Sequence, residues 1–161
     1  MRNSNRANFR AVNSHPMGQG TRVNMMAQYI VFEVPFQMLA DNPTAYLREP
    51  ECTSFITKIP TTFDETIPLD GKVAEYVAIA RRKADTWFVA AMTSWTPREL
   101  EIDFSFLPEG NYRAEIFSDG INADRDATDY KTETITIKKG DTLKIKMMSG
   151  GGWAARLEKT E

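Results

Sequence analysis

The rhythm of apolar and polar positions changes near residue 63. Beyond it, period-two alternation prevails. Before it, apolar residues recur at helical spacing or at none. The clearest alternation covers residues 75–82 and 86–93. In the first run, Tyr76, Ala78 and Ala80 alternate with Val77, Ile79 and Arg81; in the second, Trp87, Val89 and Ala91 alternate with Phe88, Ala90 and Met92. β-branched and aromatic residues at that period predict strands. The short charged link Arg82-Lys83-Ala84-Asp85 suits a hairpin loop. Both faces of this hairpin are apolar, which predicts a place inside a sheet rather than at its edge.

Further strands are predicted at 63–67, 98–106, 111–118, 131–137, 141–148 and 152–158. Several are bounded by turn formers, such as Asp70-Gly71, Pro108-Glu-Gly110 and Lys139-Gly-Asp141. Leu100, Ile102, Phe104 and Phe106 alternate with Glu101, Asp103 and Ser105, giving one dry and one wet face. Short strands at this spacing predict an antiparallel sandwich or barrel of about eight strands.

The front of the chain reads differently. Residues 1–20 hold no period. From Thr21, a helix N-cap residue, the apolar positions Val23, Met26, Ala27, Ile30, Val31 and Val34 follow helical spacing through about residue 40. Tyr29, Phe32 and Phe36 add bulk on other faces, which predicts a helix buried among other elements. Pro35 should kink or end it. Asp41-Asn-Pro43 and Glu49-Pro50 each open a short helix, over 44–48 and 52–59. The front contains too few elements of its own to bury such a helix.

Composition narrows the class. At 161 residues, 42% hydrophobic and 26% charged, the chain is globular in type, with one ordinary domain or a small domain and an appendage. A net charge of −2 argues for neither nucleic acid nor an anionic membrane as a partner. Four arginines and no acid in residues 1–22 read as a surface loop seen without its context, the alternative being a basic arm. The single cysteine, Cys52, excludes an internal disulfide. No apolar run reaches about 18 residues, so no membrane helix is predicted. Residues 1–6 lack the apolar stretch of a signal peptide; either the protein is cytosolic or Met1 is not the start of the parent polypeptide.

Candidate chemistry is sparse. His15, the lone histidine, has no ligand partners at useful spacing, and Cys52 has no histidine partner. The loop 119–130 carries Asp119, Asp124, Asp126 and Asp129. Their spacing does not fit an EF-hand, and the reading is local backbone bonding with Arg125 paired to an aspartate. Glu33, on the apolar helix, either is a buried catalytic acid, points to solvent or pairs with an arginine. Trp95, on the loop 94–98, is the better candidate for a sugar platform, against a leading reading of core or interface packing; Trp87 reads as sheet core.

Met17-Gly-Gln-Gly-Thr-Arg22, Phe36-Gln-Met-Leu-Ala-Asp-Asn-Pro-Thr-Ala-Tyr46, Glu49-Pro-Glu-Cys52, Ile59-Pro-Thr-Thr-Phe-Asp-Glu65, Ser94-Trp-Thr-Pro-Arg98 and Asp119-Gly-Ile-Asn-Ala-Asp-Arg125 resemble the C-terminal end of glycoside hydrolase family 97. These are α-glucosidases and α-galactosidases of Bacteroides-type glycan utilisation systems. The resemblance runs nearly end to end but covers only the last part of the family's length. It implies that residues 1–60 are the end of a truncated catalytic (β/α)8 barrel and residues 61–161 a C-terminal β-sandwich associated with oligomerisation. It implies that the catalytic groups and the calcium ligands lie upstream, so none is assigned here. Partners would be the missing barrel and N-terminal domain and a second copy, with an α-linked oligosaccharide substrate only in the full-length protein. Location would be periplasmic or secreted. Loops after barrel strands line the active-site face, which makes Arg10 and His15 candidates for the pocket's border. A sugar-binding module using Trp95 or Trp153 is the alternative.

Overall fold

The hairpin predicted at 75–93 lies in the interior of a six-stranded antiparallel sheet. In the computed structural model, which describes residues 3–13, 17–34, 36–38 and 42–160, the elements run in this order: β1 (Asn3–Ser4), β2 (Gly18–Gln19), α1 (Arg22–Val31), α2 (Pro43–Leu47), α3 (Pro50–Thr57), β3 (Glu65–Lys72), β4 (Tyr76–Lys83), β5 (Thr86–Thr93), β6 (Arg98–Asp103), β7 (Asn111–Asp119), β8 (Tyr130–Lys138), β9 (Thr142–Met147) and β10 (Gly152–Thr160). The large sheet has the order β3-β4-β5-β10-β7-β8, and β6 pairs with β9 in a second sheet. The eight predicted strands are thus all present and all antiparallel.

Alternation assigns the two faces of the large sheet to two cores. Trp87, Val89 and Ala91 of β5, with Ala114 and Ile116 of β7 and Ala155 and Leu157 of β10, point toward Ile102, Ile145 and Met147 of the small sheet. Phe88 and Ala90, with Phe117 and Ala154, point the other way and pack under the helices. The two-sided apolar pattern of the hairpin therefore has a cover on each side. Each large side chain so removed from water contributes about 1.5–3 kcal/mol.

The α1 helix supplies much of the second cover. Val23, Met26, Ala27 and Ile30 are all 0% exposed. The short Ala90 and Ala154 side chains beneath them let helix and sheet approach closely, and Phe55 of α3 fills the flank against Phe117 with ring centroids 4.8 Å apart. This corrects the expectation that the helix lacks a partner within the chain: the sheet's second face buries it.

The helix is also shorter than its apolar spacing predicts. It ends at Val31, where Phe32 turns extended with ψ 130° and its N–H still donates to the Gln28 carbonyl. Residues before a proline are pushed out of the α region, and Pro35 itself lies outside the described residues. Gln37 Nε2 donates to the Tyr29 carbonyl at 3.2 Å, capping one of the last free acceptors. Phe32, Val34, Phe36 and Met38 consequently stand exposed rather than buried, by 50, 46, 78 and 73%. Glu33 is exposed beyond the helix end, so it is not a buried acid. In the loop-like front, Asn3–Ser4 and Gly18–Gln19 form a small parallel ladder that no period announces.

Candidate functional site

The N-terminus of α1 meets the sandwich at a junction built from three chain segments that lie far apart in sequence. Thr21 caps the helix: its hydroxyl accepts from Asn24 N–H at 3.1 Å. The free N–H groups of the first turn are taken up by the sandwich. Thr21 N–H donates to the Gly150 carbonyl at 2.9 Å and Arg22 N–H to the Ala127 carbonyl at 2.7 Å. Asn24 Nδ2 donates to the Gly151 carbonyl at 2.9 Å.

Asp119, at the end of β7, ties these segments together. Its Oδ1 accepts from the Thr21 hydroxyl at 2.6 Å. Its Oδ2 accepts from Met148 N–H at 2.8 Å and Gly152 N–H at 3.1 Å. Burial pushes its carboxyl up to about 6, with the Thr21, Met148 and Gly152 donors working in the opposite sense. Composition places a turn at the run Gly150-Gly-Gly152; the turn closes at Gly151, whose N–H donates to the Met148 carbonyl at 2.8 Å, while Gly152 already opens β10, and the run is glycine for a further reason. A Cβ at Gly151 would lie 2.0 Å from Asp119 Oδ2, and one at Gly150, where φ is +66°, would lie 2.6 Å from the Trp95 ring.

A second polar group secures the helices. Arg22 is 4% exposed, and its guanidinium pairs with Glu49 at 2.7 Å. It lies 6.0 Å from the Tyr130 ring. The Tyr130 hydroxyl donates to Glu51 Oε2 at 2.8 Å. Burial raises the Cys52 thiol beside it, which keeps that thiol protonated and unreactive.

A pH dependence follows from Asp119. Its folded-state value lies above that of an unfolded aspartate, so protonation favours the folded chain. The charged form costs stability above about pH 6, and that cost fades as pH falls toward the unfolded value. Protonated at Oδ1, the group donates to Thr21 and keeps both N–H bonds at Oδ2. We expect the wild type to gain thermal stability relative to Asp119→Asn between pH 7 and pH 5, read by calorimetry. Parallel melting curves at the two pH values would refute this.

The predicted site residues do not converge. Arg10 is exposed in the segment after β1, and His15 lies outside the described residues. Trp95 is partly buried with its ring against Gly150, and its carbonyl accepts from the Ser149 hydroxyl at 2.6 Å. Trp87 and Trp153 are 3% and 2% exposed. The acids of 119–130 act separately. Asp126 accepts from Thr128 N–H and hydroxyl, and Asp129 from Asn122 N–H. Arg125 forms no aspartate pair among the described residues; its carbonyl instead accepts from Asn5. No three acidic, histidine or cysteine side chains converge to hold a metal among the described residues. The sequence reading missed Asp119 as a junction residue because it grouped all four acids in one loop.

The molecule is therefore a two-sheet β-sandwich with a helical segment locked to it by buried polar contacts, an architecture suited to support and assembly. Residues 62–158 match the family described as Glycosyl-hydrolase 97 C-terminal, oligomerisation, and the chain belongs to glycoside hydrolase family 97. It is 49% identical over 158 residues to a retaining alpha-galactosidase of Bacteroides thetaiotaomicron, covering 98% of this chain and 24% of that protein. A probable retaining alpha-galactosidase of Streptomyces bingchenggensis is 25% identical over 126 residues, 78% of this chain and 19% of that protein. Among solved structures, a family 97 enzyme from Pseudoalteromonas sp. strain K8 in complex with panose superposes with a TM-score of 0.85 at 32% identity, over 88% of this chain and 23% of that one. The chain thus spans between about a fifth and a quarter of the length of these relatives and carries the family's C-terminal oligomerisation domain.

Proposed function

We propose that this chain is the assembly end of an α-glycosidase. The sandwich joins a second copy, and the helical segment seats a catalytic barrel supplied by the rest of the enzyme. The observation that carries this reading is the apolar surface at the end of α1. Tyr29, Phe32, Val34, Phe36 and Met38, with Met25, line one concave patch that stays open while the helix's other face is fully buried. Contiguous exposed apolar surface of this kind marks a contact with another body. The two retaining α-galactosidase relatives support α-galactosides as substrates of the whole enzyme, and the two carboxyl groups that flank the scissile bond, in a retaining enzyme the acid/base and the nucleophile, belong to that missing part.

The purified chain should show no hydrolysis of nitrophenyl α-galactoside or α-glucoside and should self-associate in sedimentation velocity as its concentration rises. Turnover by the chain alone would overturn the assembly reading. A sugar-binding role has weaker support, because Trp95 packs on the Gly150 turn and the other two tryptophans are core residues. Heat on titration with maltooligosaccharides at millimolar concentration would revive it.

A further inference from the structure

We infer that two copies of this chain associate through the outer edge of β8, adding one copy's strand antiparallel to the other's and continuing the large sheet across a twofold axis. The inference rests on the oligomerisation reading and adds the surface to it.

The large sheet has two edges, and they differ in kind. The β3 edge is blocked. Pro68 has no N–H to offer, and the register with β4 breaks between Pro68 and Asp70. Glu65, Asp70 and Lys72 on that strand are exposed. Proline, a bulge and charges are the devices that keep an edge from pairing. The β8 edge has neither proline nor bulge. Its nine residues keep unbroken register with β7, from Asn111 opposite Lys138 to Asp119 opposite Tyr130. Thr132, Thr134, Ile135, Thr136 and Ile137 make it rich in β-branched residues.

The direction of its backbone groups is set by the turn that follows. Lys138 N–H donates to Asp141 Oδ2 and its carbonyl accepts from Asp141 N–H. Lys138 therefore points away from β7, and alternation turns the N–H and C=O of Thr132, Thr134 and Thr136 outward as well. Among the described residues no strand lies beside them.

A second β8 satisfies these groups without a charge conflict. With the axis at Thr134, Thr132 lies opposite Thr136, Lys131 opposite Ile137, and Glu133 opposite Ile135. Lys131 and Glu133 are already paired within the strand at 3.2 Å. The small sheet offers no comparable edge. Its strands have six residues each, and pairing either with itself would bring Glu99, Glu101 and Asp103, or Lys144 and Lys146, against their like. The contact is isologous and closes at two copies.

Sedimentation velocity over a concentration series tests this on the wild type, on Thr134→Pro, and on the double variant Thr132→Lys with Thr136→Lys. The double variant keeps every backbone group and sets lysine opposite lysine across the axis, so it serves where Thr134→Pro fails to fold. The wild type should dimerise, and the folded variants should associate about tenfold or more weakly, since like charges juxtaposed at an interface are strongly unfavourable. Raising the salt concentration should partly restore association of the double variant. If the wild type dimerises and the folded variants do so equally well, the β8 seam is wrong while the oligomerisation reading stands. If the wild type stays monomeric at every concentration, that reading fails and the seam fails with it.

Discussion

Replacing Asp119 with alanine is expected to destabilise the chain by about 3–5 kcal/mol, among the largest effects of any single polar substitution in it. The carboxylate is the acceptor for Met148 N–H and Gly152 N–H and for the Thr21 hydroxyl. Alanine leaves two partly buried backbone donors without a partner, and each costs about 1–3 kcal/mol. It also frees the Thr21 hydroxyl that caps α1. Asp119→Asn separates the role of shape from that of charge. Its Oδ1 can receive both N–H groups while its Nδ2 donates to Thr21, whose oxygen keeps a second lone pair. The amide should therefore lie within about 1 kcal/mol of wild type. Urea unfolding of the three proteins measures this. Equal losses for alanine and asparagine would show that the charge, and not the donor arrangement, holds the junction.

Gly152→Val should cost about 3 kcal/mol or more, at the upper end of overpacking effects. A Cβ at 152 would stand 2.5 Å from Asn24 Cα and 2.6 Å from Asn24 N. Those are atoms of the helix backbone, so no rotamer change relieves the clash. The whole first turn of α1 would have to lift, breaking the bonds from Thr21 N–H to Gly150 and from Asn24 Nδ2 to Gly151. Hydrogen exchange should show α1 losing protection while β4 and β5, interior to the sheet, retain theirs. A fully protected α1 in the valine variant would mean that the helix does not approach β10 as closely as described.

These two residues illustrate how far the sequence could be read. Gly150-Gly-Gly152 marks a turn from composition alone, yet composition does not say that Gly152 already opens β10 or why it cannot carry a side chain. That follows from a helix more than a hundred residues away in sequence lying against it. Asp119 is equally opaque. In sequence it is one of four acids in a polar loop. In the fold it sits at the end of a strand whose partner places it beside the Gly150 turn and the cap of α1. The front third of the chain shows the same limit. Its helix starts where Thr21 predicts, and Asn42 caps α2 through its side chain as the Asn-Pro pair predicts. Helical spacing runs on past Val31, however, because apolar residues bound for an outward patch obey the same pattern as residues bound for a core.

By itself, the sequence determined the eight strands and the three helix starts, because alternation, turn formers and caps are local signals that act within a few residues; the family was legible separately, through the resemblance of its motifs. The tertiary structure alone decided that both faces of the large sheet are covered, that α1 belongs against β5 and β10, that Asp119 closes the joint, and which edge of the sheet stays open. Each of these depends on contacts between residues distant in the chain, and a local pattern records only that a face is apolar, not what comes to lie on it.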